Sequence, residues 1–400
     1  MTSRPAHAAY DLVIIGGAMI GSSAAWWTLR NPAFQGRILV VERDPTYATA
    51  STTHTNSCIR QQFGTEVNVR ISQFGIDFIR NFRAFIEDAD APEQLHLQAF
   101  GYLYLADTPA FAETLRANAA MQNRLGAATR IMTPDQIAAE WPFYALDGIL
   151  LGSHNPVDEG YFDGGTMFDW LRRKARQKGA DYIHNEVTAL TLAGGRVTHV
   201  TLATGERIAA GCVINAAGPR AALVARMAGL SLPVEPRRRF SFVFAAAEPL
   251  PRDLPLTIDP SGVHVRSDGR HYLAGCPPDD GDPAADFDDF RMDHAIWEDK
   301  VWPAIAIRVP AFERVRLMNH WTGHYAYNTL DQNAIIGPHP DLPNLLFANG
   351  FSGHGLQQVA AVGRALAELV TEGRFTTLDL SPLGMDRILR GDPLLERAVI

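Results

Sequence analysis

Hydrophobic residues follow two rhythms along this chain, and the change comes near residue 233. Up to that point, short continuous apolar runs end near glycine and lead into helical patterns. Residues 12–15 (LVII) form such a run, β-branched and unbroken, as a strand covered on both faces should be. Residues 37–41 (RILVV) and 211–218 (GCVINAAG) repeat the form, and 344–348 (NLLFA) repeats it near the C-terminus. Residues 66–85 bring Val69, Phe74, Phe78, Phe82 and Phe85 near one helical face. Further helices are predicted over 109–125, 133–140, 165–178, 220–228 and 356–370. Strands are predicted over 101–106, 181–192 and 196–202, with a turn over 158–163 (DEGYFD). Beyond residue 233 the runs alternate or become aromatic. Residues 239–245, 256–265, 271–274 and 313–327 read as strands of an antiparallel sheet, with a helix over 292–306.

The most informative stretch is 11–29, DLVIIGGAMIGSSAAWWTL. Gly16 and Gly17 permit a tight turn after the strand. Ala18, Met19 and Ile20 open a helix, and Gly21 lets it pack closely on the strand. The helix start offers free N–H groups and a positive dipole end to a pyrophosphate. Glu42 closes the second strand 21 residues after Gly21, where a carboxylate takes the ribose hydroxyls of an adenosine. Ala18 stands where glycine is expected, and its methyl crowds a phosphate while leaving backbone approach open. The alternative is a buried βα turn of another α/β protein. The late unit over 344–370 has a glycine turn and a helix start but no acid at that spacing. Its helix start at 355–357 suits the anionic edge of a reduced flavin. Residues 43–65 are polar and long, as a loop around a polar ligand would be.

The fold class read from these patterns is α/β with an α+β second domain. A discontinuous Rossmann-like nucleotide-binding domain is expected over 8–88, 154–232 and 320–385. An antiparallel-sheet substrate domain is expected over 89–153 and 233–319. A length of 400 residues suits two domains. A net charge of −8 opposes a nucleic-acid partner, because the runs at 172–174 and 237–239 are too short to outweigh it. Cys58, Cys212 and Cys276 form no CxxC and no metal spacing, which excludes a disulfide-reductase centre and a metal site. Scattered cysteines fit a reducing compartment. With no apolar run of membrane-spanning length and no signal-peptide core, a soluble cytoplasmic protein is expected.

GGAMIG, the loop ending CIRQQF, DEGYFD, VINAAGPRA, YNTLDQNAIIGPHP and NGFSGHGLQQVAAVGRALAE together resemble the FAD-dependent D-amino-acid oxidase and sarcosine oxidase superfamily. The resemblance spans about 11–372. The last two motifs are most similar to an FAD-oxidoreductase-domain branch that assists assembly of mitochondrial respiratory complex I, and to its bacterial relatives. The resemblance implies FAD and oxidation of the C–N bond of an amino acid or N-substituted amino acid. Sarcosine-like, D-amino-acid-like and opine-like substrates all qualify. Hydride passes to flavin N5 and the imine hydrolyses; the final electron acceptor is oxygen, a quinone or an electron-transfer protein.

By motif matching, cofactor contacts are implied at Gly16, Gly17, Ala18, Met19, Ile20 and Gly21, and at Glu42, Arg43, Ser51 and Thr52. Val187, Ala217 and Gly218 follow, then Gly350, Gly353, His354, Gly355, Leu356 and Gln357. Arg60, His324, Tyr325 and Gln357 are the implied catalytic group. Arg60 stands where sarcosine oxidases hold the substrate carboxylate with a planar fork of donors; the alternative is a surface arginine paired with Glu66. Ser57 replaces an arginine of those enzymes, His324 a flavin-linked cysteine, and Gln357 an oxygen-activating lysine. Losing that lysine charge points to a dehydrogenase. His324 lines flavin or substrate, anchors the flavin covalently, or is a satisfied strand histidine. His54 is a rival anchor. His354 bonds near the ring or faces solvent. Of Tyr102, Tyr104, Trp321, Tyr325 and Tyr327, two are expected to touch substrate. Arg266 is a second anion anchor or a surface salt bridge. Two rivals stand beside C–N oxidation: 2-hydroxy-acid oxidation, which needs a histidine base, and an assembly scaffold that retains FAD. Fold alone never fixes substrate.

Overall fold

The computed structural model describes residues 2–279 and 281–396. Its first sheet has eight strands, five of them parallel at the centre in the order Asp181–His184, Ile38–Glu42, Ala9–Ile15, Arg207–Asn215 and Leu342–Asn349. Ala9–Ile15 takes the middle place because its apolar run has no polar side: Leu12, Val13 and Ile14 are fully buried. Arg207–Asn215 changes partner along its length. It pairs antiparallel with Arg196–Leu202 first, then parallel with Leu342–Asn349. Asn344 fills the junction: its side chain accepts from the Val197 N–H at 3.0 Å and donates to the Val197 and Gly211 carbonyls at 2.7 and 2.9 Å.

Helices Met19–Arg30, Gly164–Gln177 and Gly355–Glu372 pack on one face of this sheet. Met19–Arg30 and Gly355–Glu372 approach to backbone distance. A Cβ at Gly363 would overlap the Ser23 hydroxyl, which donates to the Val359 carbonyl at 2.9 Å. Only glycine opposite serine leaves room for that seam. No helix among the described residues is long and apolar enough to cross a membrane.

The second sheet also has eight strands, and its two longest, Val234–Ala246 and Val315–Asn328, pair along nearly their whole length. It is antiparallel except where Leu256–Ile258 runs parallel to Tyr102–Ala106. The expected boundaries at 154 and 320 fall inside strands Leu151–Asn155 and Val315–Asn328 of this sheet. Several expected elements are interrupted. The 256–265 strand splits at a turn closed by the Gly262 N–H on the Asp259 carbonyl. The 181–192 strand breaks at Asn185, whose amide donates to the Ser3 carbonyl at 2.7 Å and the Thr204 hydroxyl at 2.6 Å. The 66–85 helix breaks at Asn81 and resumes as Phe82–Ile86. The 292–306 helix begins late, as a wide π-type turn Trp297–Val301 before Trp302–Arg308. The DEGYFD turn carries a strand, Gly160–Phe162, between Cys58–Ile59 and Leu97–Gln98.

Gly363→Ala should lower the urea unfolding midpoint by an amount equivalent to about 1–3 kcal/mol, the usual cost of forcing a methyl into a filled seam. Adding Ser23→Gly should recover part of the loss; equal stability of Gly363→Ala and the parent would show that the seam is not close-packed.

Candidate functional site

One long cleft is lined from both sheets. The carboxyl ends of the parallel strands form one end of it, through Ile15, Val41, Glu42, Ala216 and Ala348, the usual ligand edge of such sheets. At that end Gly16 turns with φ +102°, and a Cβ there would overlap the Ala216 carbonyl oxygen. A Cβ at Gly21 would overlap the Gly16 oxygen. Helix Met19–Arg30 begins with no side-chain cap and no acid in its first turn. Apart from the Met19 N–H, which reaches the Thr52 hydroxyl at 3.4 Å, its start keeps its first N–H groups and positive dipole end for an anion. Glu42 is buried, and its carboxylate accepts from the Gly17 and Asp44 N–H groups at 2.8 Å each. Burial raises its pKa, while those N–H groups pull it down.

The middle of the cleft is built by the turn 350–357. Gly353 has φ +93°, and its face packs on the Tyr325 ring. His354 precedes helix Gly355–Glu372, which has no acid in its first turn. The polar loop supplies Ser51, whose hydroxyl donates to the His324 carbonyl at 2.6 Å, and Thr52, whose hydroxyl accepts from the Met19 N–H at 3.4 Å.

Arg60 lies at the far end, 1% exposed. Its backbone N–H donates to Gln357 Oε1 at 3.0 Å, and its Nη2 donates to His354 Nε2 at 3.0 Å. The guanidinium also lies over Phe63 at 4.4 Å. A guanidinium only donates, so His354 accepts at Nε2 and carries its own proton on Nδ1. Burial, then the Arg60 charge, holds the His354 pKa well below the usual range. Burial works against the Arg60 charge, yet Tyr104, Tyr102, Glu396 and Glu159 around it raise its pKa overall. Burial lifts Glu159 to about 7, against hydrogen bonds from Gln62, Gln61 and Asn155.

Against this second sheet, Tyr325 lies under Arg239, 4.5 Å from the guanidinium to the ring. Arg239 donates to both carboxylate oxygens of Asp282, at 2.7 and 2.9 Å. His324 is 3% exposed; its Nε2–H donates to the Asp289 carbonyl at 2.8 Å, and its ring stacks on Phe290 at 4.2 Å. Phe290 also stacks on His54. His264 accepts at Nε2 from the Asn56 amide at 2.7 Å.

Most residues expected at the site share this cleft. Gly16, Ala18, Met19, Ile20, Glu42, Arg43, Ser51, Thr52, Val187, Ala217 and Gly218 line it, and so do 353–357. Arg60, His54, His324 and Tyr325 line it too. Gly17, Gly21 and Gly350 do not. Gly17 holds Glu42, Gly21 packs on Gly16, and Gly350, at φ +68°, packs on Asn328 and Val234. The surface pairing of Arg60 with Glu66 does not form, because Arg70 takes Glu66 at 2.7 Å. Arg266 is no surface bridge either. It is 2% exposed and donates to Asp268 at 2.9 Å, to the Ser267 carbonyl at 2.7 Å and to the Asn56 carbonyl at 3.0 Å. Of the five aromatic candidates, Tyr102 and Tyr325 line the cleft. Sequence reasoning missed Arg239, His264, Asn56 and Phe290. For Arg239 a signal existed: Arg237 and Arg239 share one face of a strand by its period of two, so the basic run was never one patch.

The residues present fit a flavin dinucleotide. The glycine turn packs directly on Ala216 and on the helix start and brings its backbone to the cleft, two helix starts free of acids face one cleft, and a buried carboxylate closes the second strand. A family model described as DAO, FAD dependent oxidoreductase, matches residues 11–369. The chain is 36% identical to FAD-dependent oxidoreductase domain-containing protein 1 of Bos taurus, over 98% of this chain and 87% of that protein. It is 37% identical to the Xenopus laevis protein of the same description, over 98% and 85%. Among solved structures, L-proline dehydrogenase from P. horikoshii superposes with a TM-score of 0.83 at 24% identity, over 98% of this chain and all of that one.

His264 gives the site a pH signature. Burial first, then the charges of Arg266 and Arg239, lower its pKa to about 3 from 6.5. A lowered pKa gives stability that is present above pH 6.5 and lost as pH falls toward 3, at up to ~1.4 kcal/mol per pH unit. Between pH 6.5 and 4 the urea midpoint should fall more steeply for the parent than for His264→Gln. Parallel curves would mean that His264 is protonated in the fold.

Proposed function

The chain belongs to the DAO family of FAD dependent oxidoreductases, and from that premise we propose that it oxidises the C–N bond of an amino acid or N-substituted amino acid. The pairing of Arg60 with His354 carries this reading. The guanidinium polarises the neutral imidazole, so His354 Nδ1–H is a strengthened donor at the cleft wall for a substrate carboxylate. Arg60 thus acts through His354 rather than by its own fork, and Gln357 fixes the Arg60 backbone from the helix start. Burial and the Arg60 charge both favour the neutral form of His354, which preserves this donor.

The same contact favours C–N over C–O oxidation. A hydroxy acid needs a base for its hydroxyl proton, and the basic nitrogen of His354 is already taken by Arg60. A neutral amine needs no such base. The turn 16–19 with Glu42 would hold the nucleotide end of FAD, Ser51, Thr52, Ala217 and Gly218 its middle, and 353–357 its ring end. Bound there, FAD supplies the two-electron acceptor for a substrate C–H hydride, and water hydrolyses the resulting imine. His324 holds the 289–290 segment against the cleft, and Tyr325 walls the substrate end. Gln357 is neutral and its Oε1 is committed to Arg60, so no ammonium stands at that position to favour oxygen. A quinone or electron-transfer protein is therefore the proposed acceptor. The three free cysteines support placement in a reducing compartment such as the cytoplasm.

The test is oxygen-free bleaching of the flavin band by sarcosine, D- and L-amino acids and 2-hydroxy acids. Amines should bleach it and hydroxy acids should not. His354→Ala should weaken the effective amine about 10–150-fold, the value of one charge-assisted hydrogen bond. Bleaching by hydroxy acids alone, or by nothing, overturns the reading, and the latter outcome favours an FAD-retaining scaffold. Dye reduction should outpace oxygen uptake; equal rates would make the protein an oxidase.

A further inference from the structure

We propose that Arg239 anchors a second carboxylate of the substrate, so that the preferred substrates are amino acids bearing two carboxylates. The inference rests on the amino-acid reading above and adds the substrate class to it.

Arg239 sits on the rigid strand Val234–Ala246, paired to Gly323 on one side and flanked by the Phe240–Cys276 pair on the other. It lines the cleft, with its side chain 11% exposed. Its fork already holds a carboxylate in two-point geometry, that of Asp282, so the geometry for anion recognition is built. The occupant comes from an acidic, proline-rich loop, which is tied to the strand just after Asp282 by the Arg237–Ala284 bridge and the Ala285 N–H on the Pro236 carbonyl at 2.8 Å. Asp282 is a non-glycine residue at φ +57°, next to Gly281 at φ +83°. Such a left-handed conformation is uncommon outside glycine, and besides Arg239 its ion-pair partner is Arg237 at 4.0 Å. Arg239 Nε is buried and has no hydrogen-bond partner. That donor goes unsatisfied in the present pairing, and a carboxylate taking the place of Asp282 could satisfy it.

Tyr325 links the two anion sites. Its ring lies under Arg239 on one side and packs on Gly353, next to His354, on the other. Burial raises the Tyr325 pKa, and the charges of Arg239 and Arg60 both pull it down, so one ring feels both guanidiniums. A substrate with one carboxylate at His354 and another at Arg239 would lie across that ring. Exchange of Asp282 for a substrate carboxylate leaves the charge around Arg239 unchanged. The buried guanidinium is never left unpaired, which is the costly event, and Asp282 passes to water.

The holoenzyme would be titrated with acetate and with glutarate, unreactive probes carrying one and two carboxylates, while flavin absorbance and the thermal midpoint are followed. Glutarate should bind about tenfold or more tightly than acetate. Arg239→Gln should erase that preference. Asp282→Asn, a loop change outside the sheets, should tighten glutarate several-fold and leave acetate unchanged. An unchanged preference in Arg239→Gln, or no effect of Asp282→Asn, overturns the proposal. Reduction by iminodiacetate over sarcosine would place the second carboxylate on the N-substituent; reduction by glutamate over alanine would place it on the side chain. Glutarate binding lost with Arg239 while no amine bleaches the flavin would sink the amino-acid reading and leave the second anion site standing.

Discussion

A buried guanidinium is the constraint around which the far end of this cleft is assembled. Arg60 is almost fully removed from water, and an arginine keeps its charge at any ordinary pH. The fold therefore has to surround it with acceptors and acids. Two buried carboxylates from distant parts of the chain do so. Glu159 accepts from the Gln61 and Gln62 N–H groups at 2.6 and 3.1 Å. Glu396 accepts from the Gly64 N–H at 2.8 Å and from Asn68 at 3.1 Å. The same acids that balance the charge thus fix the backbone of 61–68. Arg60 in turn fixes the tautomer of His354 and, through Gln357, the start of a long helix. Loop, helix start and C-terminal segment are one electrostatic unit.

The glycine turn and Glu42 were legible from sequence because their signals are local. Strand, glycine turn, helix and acid lie within about thirty residues, and each has one physical reason. The late turn 350–357 was legible for the same reason. The far end was not, because its contacts are long-range. Nothing in the sequence around Glu396 says that it is buried against Asn68. Arg266 reads as a surface ion pair because neither Asn56 nor the cover over the strand is visible in the sequence. Arg239 was passed over inside a run of three arginines: the period of two separates Arg238 from its neighbours, but which face meets the cleft is set only when Val234–Ala246 pairs with Val315–Asn328.

The interrupted elements follow the same logic. Hydrophobic pattern extends a strand or helix until the side chains stop it, but here side-chain chemistry stops several elements earlier. The strand ends at Asn185, whose backbone N–H still donates to the Glu42 carbonyl at 3.0 Å while its side chain bonds Ser3 and Thr204. That break places Val187 on the cleft wall. Asn344 does the reverse and lets one strand change partners without an orphaned backbone group. Of the polar residues that defeat a periodicity reading, Asn185 is one that also lines the cleft.

Charge accounting along the cleft sets what the protein can select. Arg60 is balanced by Glu159 and Glu396 in the core, and Arg266 by Asp268 at the end of its own strand. Those acids are fixed by the sheets and by buried hydrogen bonds, so their arginines are committed to structure. Arg239 differs because its acid sits on a loop with a left-handed backbone. A site whose counter-ion can leave discriminates by exchanging like for like, at little desolvation cost. A neutral substrate group cannot make that exchange, since it would leave Arg239 either bound to Asp282 or buried without an anion. Selectivity for a second negative charge therefore follows from where the chain put its own.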